Sequence, residues 1–426
     1  MSLGLFLYRS IMMIASPFLG GVFRRRVKSG KEDRTRISER FVRNVPKRPN
    51  GNLVWLHAAS VGESQLLLEL MRRLLAAEDR TLQFVLTCQT QTAARLVQAT
   101  LTEDRALSEA YAIQQMAPVD TPANARRFVR HWSPDLAIFA EGEIWPNLLL
   151  ELQRRNTPTA LINARMTEKS ISGWLRWPTT ARRVLGSFDL VLAADVQTQT
   201  GLKALLGEPV LCPGNLKSAL PAPRGKLSEL ETLRREIGDR SVLLAASTHA
   251  GEEALALDAY LQMQPKPFLI IAPRHPERGD EIAGLLSCTE HSVSRRSVGD
   301  RIGPETDILL ADTMREMGLW YRLANTVYLG GGHTPGVGGH NPLEALQLGK
   351  PVLTGPSLFN FRDLADRLKG YAGFLIVEDA LALTRAFPAA PVSADLSQLL
   401  ERDSFGPMSK TLDALEPLLP TARHSR

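Results

Sequence analysis

The sequence predicts an α/β protein of two domains, each built on a doubly wound parallel sheet. Three observations predict it. The chain has 426 residues, more than a single hydrophobic core usually serves. From Gly51 onward, short apolar runs alternate with segments of helical period, the signature of repeated βαβ units. A Pro-, Gly- and Lys-rich stretch, Pro213 to Leu227 (PGNLKSALPAPRGKL), interrupts the alternation, which then resumes, so it reads as an interdomain linker.

The first element stands apart from this pattern. Leu3 to Phe23 (LGLFLYRSIMMIASPFLGGVF) is apolar except for Arg9 and the serines. At about 1.5 Å per residue it is barely long enough to cross a bilayer core of roughly 30 Å. Arg9 can snorkel to an interface, and Arg24 to Arg26 follow at once, which by the positive-inside rule places the rest of the chain in the cytoplasm. A cleaved signal peptide is disfavoured, because the basic residues follow the apolar run and no small-x-small site ends it. A transmembrane anchor and an interfacial helix both stay open. The basic stretch Arg24 to Arg48 suits anionic partners or is simply a solvated face; beside the apolar segment, inner-membrane phospholipids are the expected partner, and nucleic acid is not. The expected organisation is a membrane anchor over 1–23, an N-terminal domain over 24–213 and a C-terminal domain over 214–426, whose last helices can pack back on the N-terminal domain.

In the first domain NLVWLHAA, LQFVLTC, DLAIFAEGE and PTALINAR read as strands. ESQLLLELMRRLLAA, TQTAARLVQAT and IWPNLLLELQRR read as the helices between them. In the second, SVLLAAS, PFLIIAP, DILLAD, TVYLGGG and PVLTGP are strands, with helices expected from Glu252, Glu277 and Pro342. Two such domains are expected to place a ligand cleft at the C-terminal edges of their strands. No internal repeat is visible.

Composition excludes several classes. With 44% hydrophobic and 23% charged residues the chain is neither disordered nor low-complexity. Cys88, Cys212 and Cys288 are odd in number and widely spaced, against a disulfide scaffold or a structural zinc site. The glycine-rich loop fits neither a P-loop nor a G-x-G-x-x-G fingerprint, and no Asp-x-Asp pair exists to hold a metal-bound sugar nucleotide. No metal and no cofactor are expected.

Polar clusters fall at strand ends. His57-Ala-Ala-Ser-Val-Gly-Glu63 includes Ser60, Gly62 and Glu63 at a strand-to-helix turn. Glu63 is either a dipole partner for the helix or a general base at the strand edge. Glu141 and Glu143 in EGEIWPN, at i and i+2, either shift each other's proton affinity, hold a cation or start a helix at Pro146. Arg165 either contacts phosphate or pairs with one of these two carboxylates. In the second half four clusters follow four strands: Ser247, Thr248 and His249; Pro273, Arg274 and His275; Met314, Arg315 and Glu316; and the run from Gly330 through Gly338, Gly339 and His340 to Asn341, Pro342, Leu343 and Glu344. Gly-rich loops opening helices present N–H groups to phosphate, Arg274 matches phosphate geometry and Glu344 can accept from ribose hydroxyls. Each cluster also has a structural reading, with Gly for tight turns and Asn341 as an N-cap before Pro342. All four at strand ends point to a nucleotide-type ligand.

These motifs, HAASVGE, EGEIWPN, NARMTEKS (163–170), GNLK with Lys217, STHAGEE, APRHPER, DTMRE and GGHNPLEA, resemble those of the Kdo (3-deoxy-D-manno-octulosonic acid) transferase family, in family order from about residue 3 to about residue 365. The resemblance implies the glycosyltransferase-B fold: two Rossmann-like domains facing a cleft, with an N-terminal membrane-anchoring helix. It implies a lipid A precursor, lipid IVA, taken by the N-terminal domain, and CMP-Kdo by the C-terminal one. It makes Glu63 the general base of an inverting, metal-independent transfer. It puts CMP contacts at Pro273, Arg274, Met314 to Glu316, and Asn341 to Glu344. Departures from the family pattern are Gly142 for a usual Thr, Arg315 for a usual Gly, and Ser218 and Ala219 where an Asp often follows GNLK. Two alternatives stand beside this reading: another glycosyltransferase-B enzyme of lipopolysaccharide assembly with a different sugar nucleotide, and a non-catalytic membrane-bound nucleotide-binding protein.

Overall fold

In the computed structural model, which describes residues 2–76, 81–110, 112–220 and 227–420, the run NLVWLHA forms β1 (Asn52–Ala58), buried along its whole length. Its alternating side chains serve two cores. Val54, Leu56 and Ala58 join the cluster on one face of the sheet, Leu53 and Trp55 the cluster on the other. A strand covered on both faces reads as one continuous apolar run, as parallel sheets require.

The first sheet adds β2 (Leu82–Cys88), β3 (Ile113–Met116), β4 (Leu136–Ala140), β5 (Thr159–Ala164) and β6 (Leu190–Ala193), in the order β3-β2-β1-β4-β5-β6. Every pairing is parallel. The second sheet holds β7 (Val242–Thr248), β8 (Phe268–Pro273), β9 (Val293–Arg295), β10 (Ile308–Leu310), β11 (Thr326–Leu329), β12 (Val352–Thr354) and β13 (Phe374–Ile376), in the order β13-β12-β11-β7-β8-β10-β9, again all parallel. Strand order reverses at β1/β4 in the first sheet and at β7/β11 in the second. Crevices outside the carboxyl ends of such strands are where doubly wound sheets bind ligands.

The chain forms two units, Met1–Leu220 with Ser404–Arg426, and Pro221–Asp403. The first break falls after Leu220 rather than after Pro213, because Leu216 is buried in the first core and its N–H donates to Asn163 Oδ1 at 2.8 Å. Residues 221–226 of the expected linker lie outside the described residues. The helix Ala394–Leu415 returns the chain to the first unit, where Met408 and Leu415 join the core. Three expected elements differ in extent. DLAIFAEGE stops being a strand at Ala140, so Glu141 and Glu143 sit in the turn beyond it. The helix expected from Glu277 starts as a 3-10 turn (Pro276–Arg278) and continues as Gly279–Leu286. The helix expected from Pro342 is one turn, Leu343–Leu346.

The N-terminal segment is a 26-residue helix, Leu3–Lys28, long and apolar enough to cross a membrane by length and composition. It is also docked on the first unit. Leu5 is buried, Gly4 lies against Thr180 and Trp177, and the Phe23 ring meets Phe41 edge-on at 5.7 Å.

Candidate active site

At the β1/β4 edge, β1 ends at Ala58 and the helix Val61–Ala76 begins three residues on. Ser60 and Glu63 form a capping box across this turn. The Glu63 N–H donates to Ser60 Oγ at 3.2 Å, and Glu63 in return accepts from the Ser60 hydroxyl at 2.8 Å and the Ala59 N–H at 2.7 Å. The side chain is 6% exposed. Burial raises its proton affinity above that of an ordinary glutamate. The two hydrogen bonds offset part of this, and the charges of Glu141 and Glu143 add to it. The helix-start reading and the base reading are thus both met by one side chain: the cap fixes where the carboxylate points, and burial makes it a stronger proton acceptor.

Glu141 and Glu143 have separate partners. Glu141, in left-handed backbone at φ 58°, pairs with Lys217 Nζ at 2.6 Å and accepts from Asn163 Nδ2 at 3.3 Å. Glu143 accepts from the Trp145 indole N–H at 2.8 Å and lies 3.1 Å from His57 Nε2. Burial pushes the Glu143 carboxyl up, but the His57 and Trp145 contacts outweigh it and hold the group below the usual range. His57 is fixed from behind, with Nδ1 2.7 Å from Thr87 Oγ1. Lys217 passes over Gly62, where a Cβ would stand 3.5 Å from its ammonium. Arg165 pairs with neither glutamate; its Nε lies 3.7 Å from Asp195 Oδ2, because the strand-end turn after Ala164 carries it towards the Asp195 cap of the next helix.

The second edge has a different character. β7 carries a register shift between Ala246 and Thr248, with Ser247 at φ 54°, and β5 a matching shift with Asn163 at φ 51°. Such bulges re-aim side chains at a strand end. His249 and His340 stack, ring centroids 5.1 Å apart and Nε2 atoms 2.9 Å apart, and the His275 ring lies 5.7 Å from His249. Burial, then the neighbouring His249 and Arg274, push His340 down to about 4, so the ring is neutral at pH 7. His249 is lowered too, burial first. Arg274 is exposed and near enough to Glu344 to oppose, in part, the upward push of burial on that carboxyl. Pro273 ends β8.

The carboxylates of STHAGEE turn inward. Glu252 accepts from the N–H groups of His249, Gly331 and His333, and Glu253 from Thr248 and Arg278. They clamp the Gly-rich loop to the first turn. Glycines let this loop close up: a Cβ on Gly332 would lie 2.6 Å from the Gly355 nitrogen, and one on Gly338 2.5 Å from the Phe359 ring. Asn341 Oδ1 accepts from the Leu343 N–H at 3.2 Å, but the capping position of the short helix falls on Pro342, one residue later than the sequence suggests. Glu316 is held by Arg296 at 2.7 Å and by the Thr313 hydroxyl, while Met314 and Arg315 are exposed. Among the described residues no group of three or more His, Cys, Asp or Glu is arranged to hold a metal ion.

Four residues here carry no functional expectation from the sequence: His57, Asp195, Glu252 and Asp120, whose carboxylate accepts from the Asn147 and Leu148 N–H groups. Asp195 carried a local signal as the N-cap of the helix Val196–Leu206, and His57 as the one ionisable side chain in β1.

Two all-parallel, doubly wound sheets with polar clusters at their switch points define a protein of glycosyltransferase-B fold. The solved glycosyltransferase of Rickettsia africae shares this fold, at a TM-score of 0.55 over 88% of this chain and all of that one, with 11% identity. Residues 35–220 match the family described as 3-deoxy-D-manno-octulosonic-acid transferase (kdotransferase). The 3-deoxy-D-manno-octulosonic acid transferase of Haemophilus influenzae is 32% identical over 97% of this chain and 98% of its own length, and that of Bordetella pertussis 33% identical over 86% and 87%. The chain belongs to the Kdo transferase family of glycosyltransferases.

Proposed function

We propose that this protein transfers Kdo from CMP-Kdo to a lipid A precursor of the lipid IVA type, with inversion at the sugar and without a metal. The observation that carries the reading is Glu63: a carboxylate fixed by its own helix cap, buried, and raised in proton affinity at the switch point of the first sheet. An acceptor hydroxyl loses its proton to Glu63 as its oxygen attacks C2 of Kdo. The bond from C2 to the phosphate oxygen breaks on the opposite face, and CMP departs with the electron pair. Arg274 offsets the charge growing on that phosphate. Lys217 and His57 hold Glu141 and Glu143 in place, so the acidic cluster keeps its shape as Glu63 gains and loses a proton.

The N-terminal helix supports a place at the cytoplasmic face of the inner membrane. Leu3, Phe6, Ile11, Ile14 and Phe18 are exposed on one stripe, while Leu5 and Tyr8 turn to the first unit. A helix docked along one side suits the interfacial alternative better than an independent span, with Arg24 to Arg26 and Lys28 at anionic head groups. The test is an assay of the detergent-solubilised protein with CMP-Kdo and a tetraacylated lipid A precursor, read by mass spectrometry. A product heavier by one or more Kdo units is expected. Absence of transfer with CMP-Kdo still bound would overturn the acceptor, and absence of binding would overturn the donor.

A further inference from the structure

Tyr8 belongs to the helix Leu3–Lys28, yet its hydroxyl is spent inside the protein. It donates to Asp120 Oδ2 at 2.8 Å. Asp120 is fully buried and ends the segment before the helix Pro122–Trp132. Its carboxylate is the cap of a different helix, Pro146–Arg154. Oδ2 also accepts from the Asn147 N–H at 3.0 Å and Oδ1 from the Leu148 N–H at 2.8 Å, while the Asp120 carbonyl accepts from Asn147 Nδ2 at 2.6 Å. The residue at the capping position of that helix, Trp145, gives no side-chain cap of its own. The orphan N–H groups of the first turn, which need an acceptor, are therefore met from outside by Asp120.

What lies just upstream is the acidic cluster. Trp145 donates to Glu143, and Glu143 holds His57. The start of the helix Pro146–Arg154 fixes where Trp145, and through it Glu143, can stand. On the other side, Tyr8 is held by the docking of its own helix: Leu5 is buried, and a Cβ on Gly4 would lie 2.6 Å from Thr180 Oγ1. The Thr180 hydroxyl donates to Ser2 Oγ at 3.0 Å.

We propose that Tyr8 is a positioning residue: through the Asp120 cap, the docked N-terminal helix sets the 141–147 loop for transfer, in addition to any hold it gives on the membrane. This rests on the reading that the 141–147 loop belongs to the transfer site. It does not rest on Glu63 being the base. The helix and the acidic cluster are then one mechanical unit, and the first sheet's site is complete only when the helix is seated.

The test uses the full chain in detergent, where membrane hold is not limiting. Tyr8→Phe keeps the ring and removes one donor. The expected result is a fall of about 10-fold in kcat, faster hydrogen exchange at the Asn147 and Leu148 amides, CMP-Kdo affinity unchanged within about 2-fold, and unchanged flotation with phosphatidylethanolamine–phosphatidylglycerol vesicles. Asp120→Asn is expected to lower kcat further, and adding Tyr8→Phe to it to change little more, since both act through one cap. Wild-type kcat and wild-type exchange in Tyr8→Phe would overturn the proposal. So would losses that simply add in the double variant, or a fall in kcat matched by lost vesicle binding. If the wild-type protein moved no Kdo at all, the functional reading would fail by itself, and the exchange rates would still decide the link from Tyr8 to the helix.

Discussion

The two strand edges are built alike and charged in opposite senses. Each sits where strand order reverses, and each has a bulge with a non-glycine residue in left-handed backbone, Asn163 in one and Ser247 in the other. At the first edge, carboxylates face the site: Glu63, Glu141 and Glu143, braced by Lys217 and His57. At the second, the carboxylates Glu252 and Glu253 turn inward to clamp a Gly-rich loop, and what faces outward is Arg274 with stacked, neutral histidines. The shared topology supplies position, and the side chains decide what each position does. On the proposed function, one edge takes a proton and the other holds an anion.

The largest break in this comparison is removal of the proton acceptor. Glu63→Gln preserves shape and a hydrogen-bonding oxygen but cannot take a proton. Transfer is expected to fall by about 10²-fold or more, with CMP-Kdo binding intact by calorimetry. Near-normal turnover would remove the base from Glu63. The pH profile sharpens the same point. If Glu63 is the base, as proposed, activity needs it ionised; its carboxyl is raised, so the rate is expected to fall as pH drops through a value above that of an exposed glutamate. Glu143→Gln removes one of the negative charges that raise it, and the acidic limb is expected to move to lower pH.

At the opposite edge the corresponding change is Arg274→Ala. If Arg274 holds the donor phosphate, as proposed, its loss should weaken CMP-Kdo binding by about 10- to 100-fold, while the acidic limb expected from Glu63 stays where it was. A limb that moved with Arg274 would mean that the two edges do not divide the work. The histidines add a smaller check. The His340 ring is pushed to about 4, so its NMR shifts should stay flat from pH 8 to pH 5; a midpoint near that of a free imidazole, about 6.5, would make the second edge a cationic cluster rather than one arginine among neutral rings.

How much of this was legible depends on where a residue sits. The central strands declared themselves as apolar runs, since both faces are covered. The four strands not expected from the sequence, β3, β6, β9 and β13, are the edges of the two sheets. They are three or four residues long, and β3 reads IQQM, with two buried glutamines that no hydrophobic pattern would find. Among site residues, motif ends such as Glu63 and Arg274 were visible because strand-to-helix turns have local signatures. Asp120 and the pairing of Asp195 with Arg165 were not. Each involves an element remote in sequence, and the fold alone brings those together.

The smallest expected effect tests a departure from the family pattern. The resemblance sets a glycine where Arg315 stands, and the Arg315 backbone is left-handed at φ 70°. A glycine adopts this conformation freely, whereas Arg315 carries a side chain on it. Left-handed backbone costs an L-residue roughly 1–2 kcal/mol, and a glycine returns roughly 0.5–1 kcal/mol of that through its freer unfolded chain. Arg315→Gly should therefore stabilise the protein by about 0.5–1 kcal/mol, read as a small rise in unfolding midpoint. Because Arg315 is exposed and the backbone is unchanged, the N–H groups of residues 314 to 316 keep their direction, and CMP-Kdo affinity should move by less than about 3-fold, the span of one weak surface contact. A larger loss would give the arginine side chain a share in holding the anion, and make the second edge more cationic here than where glycine stands.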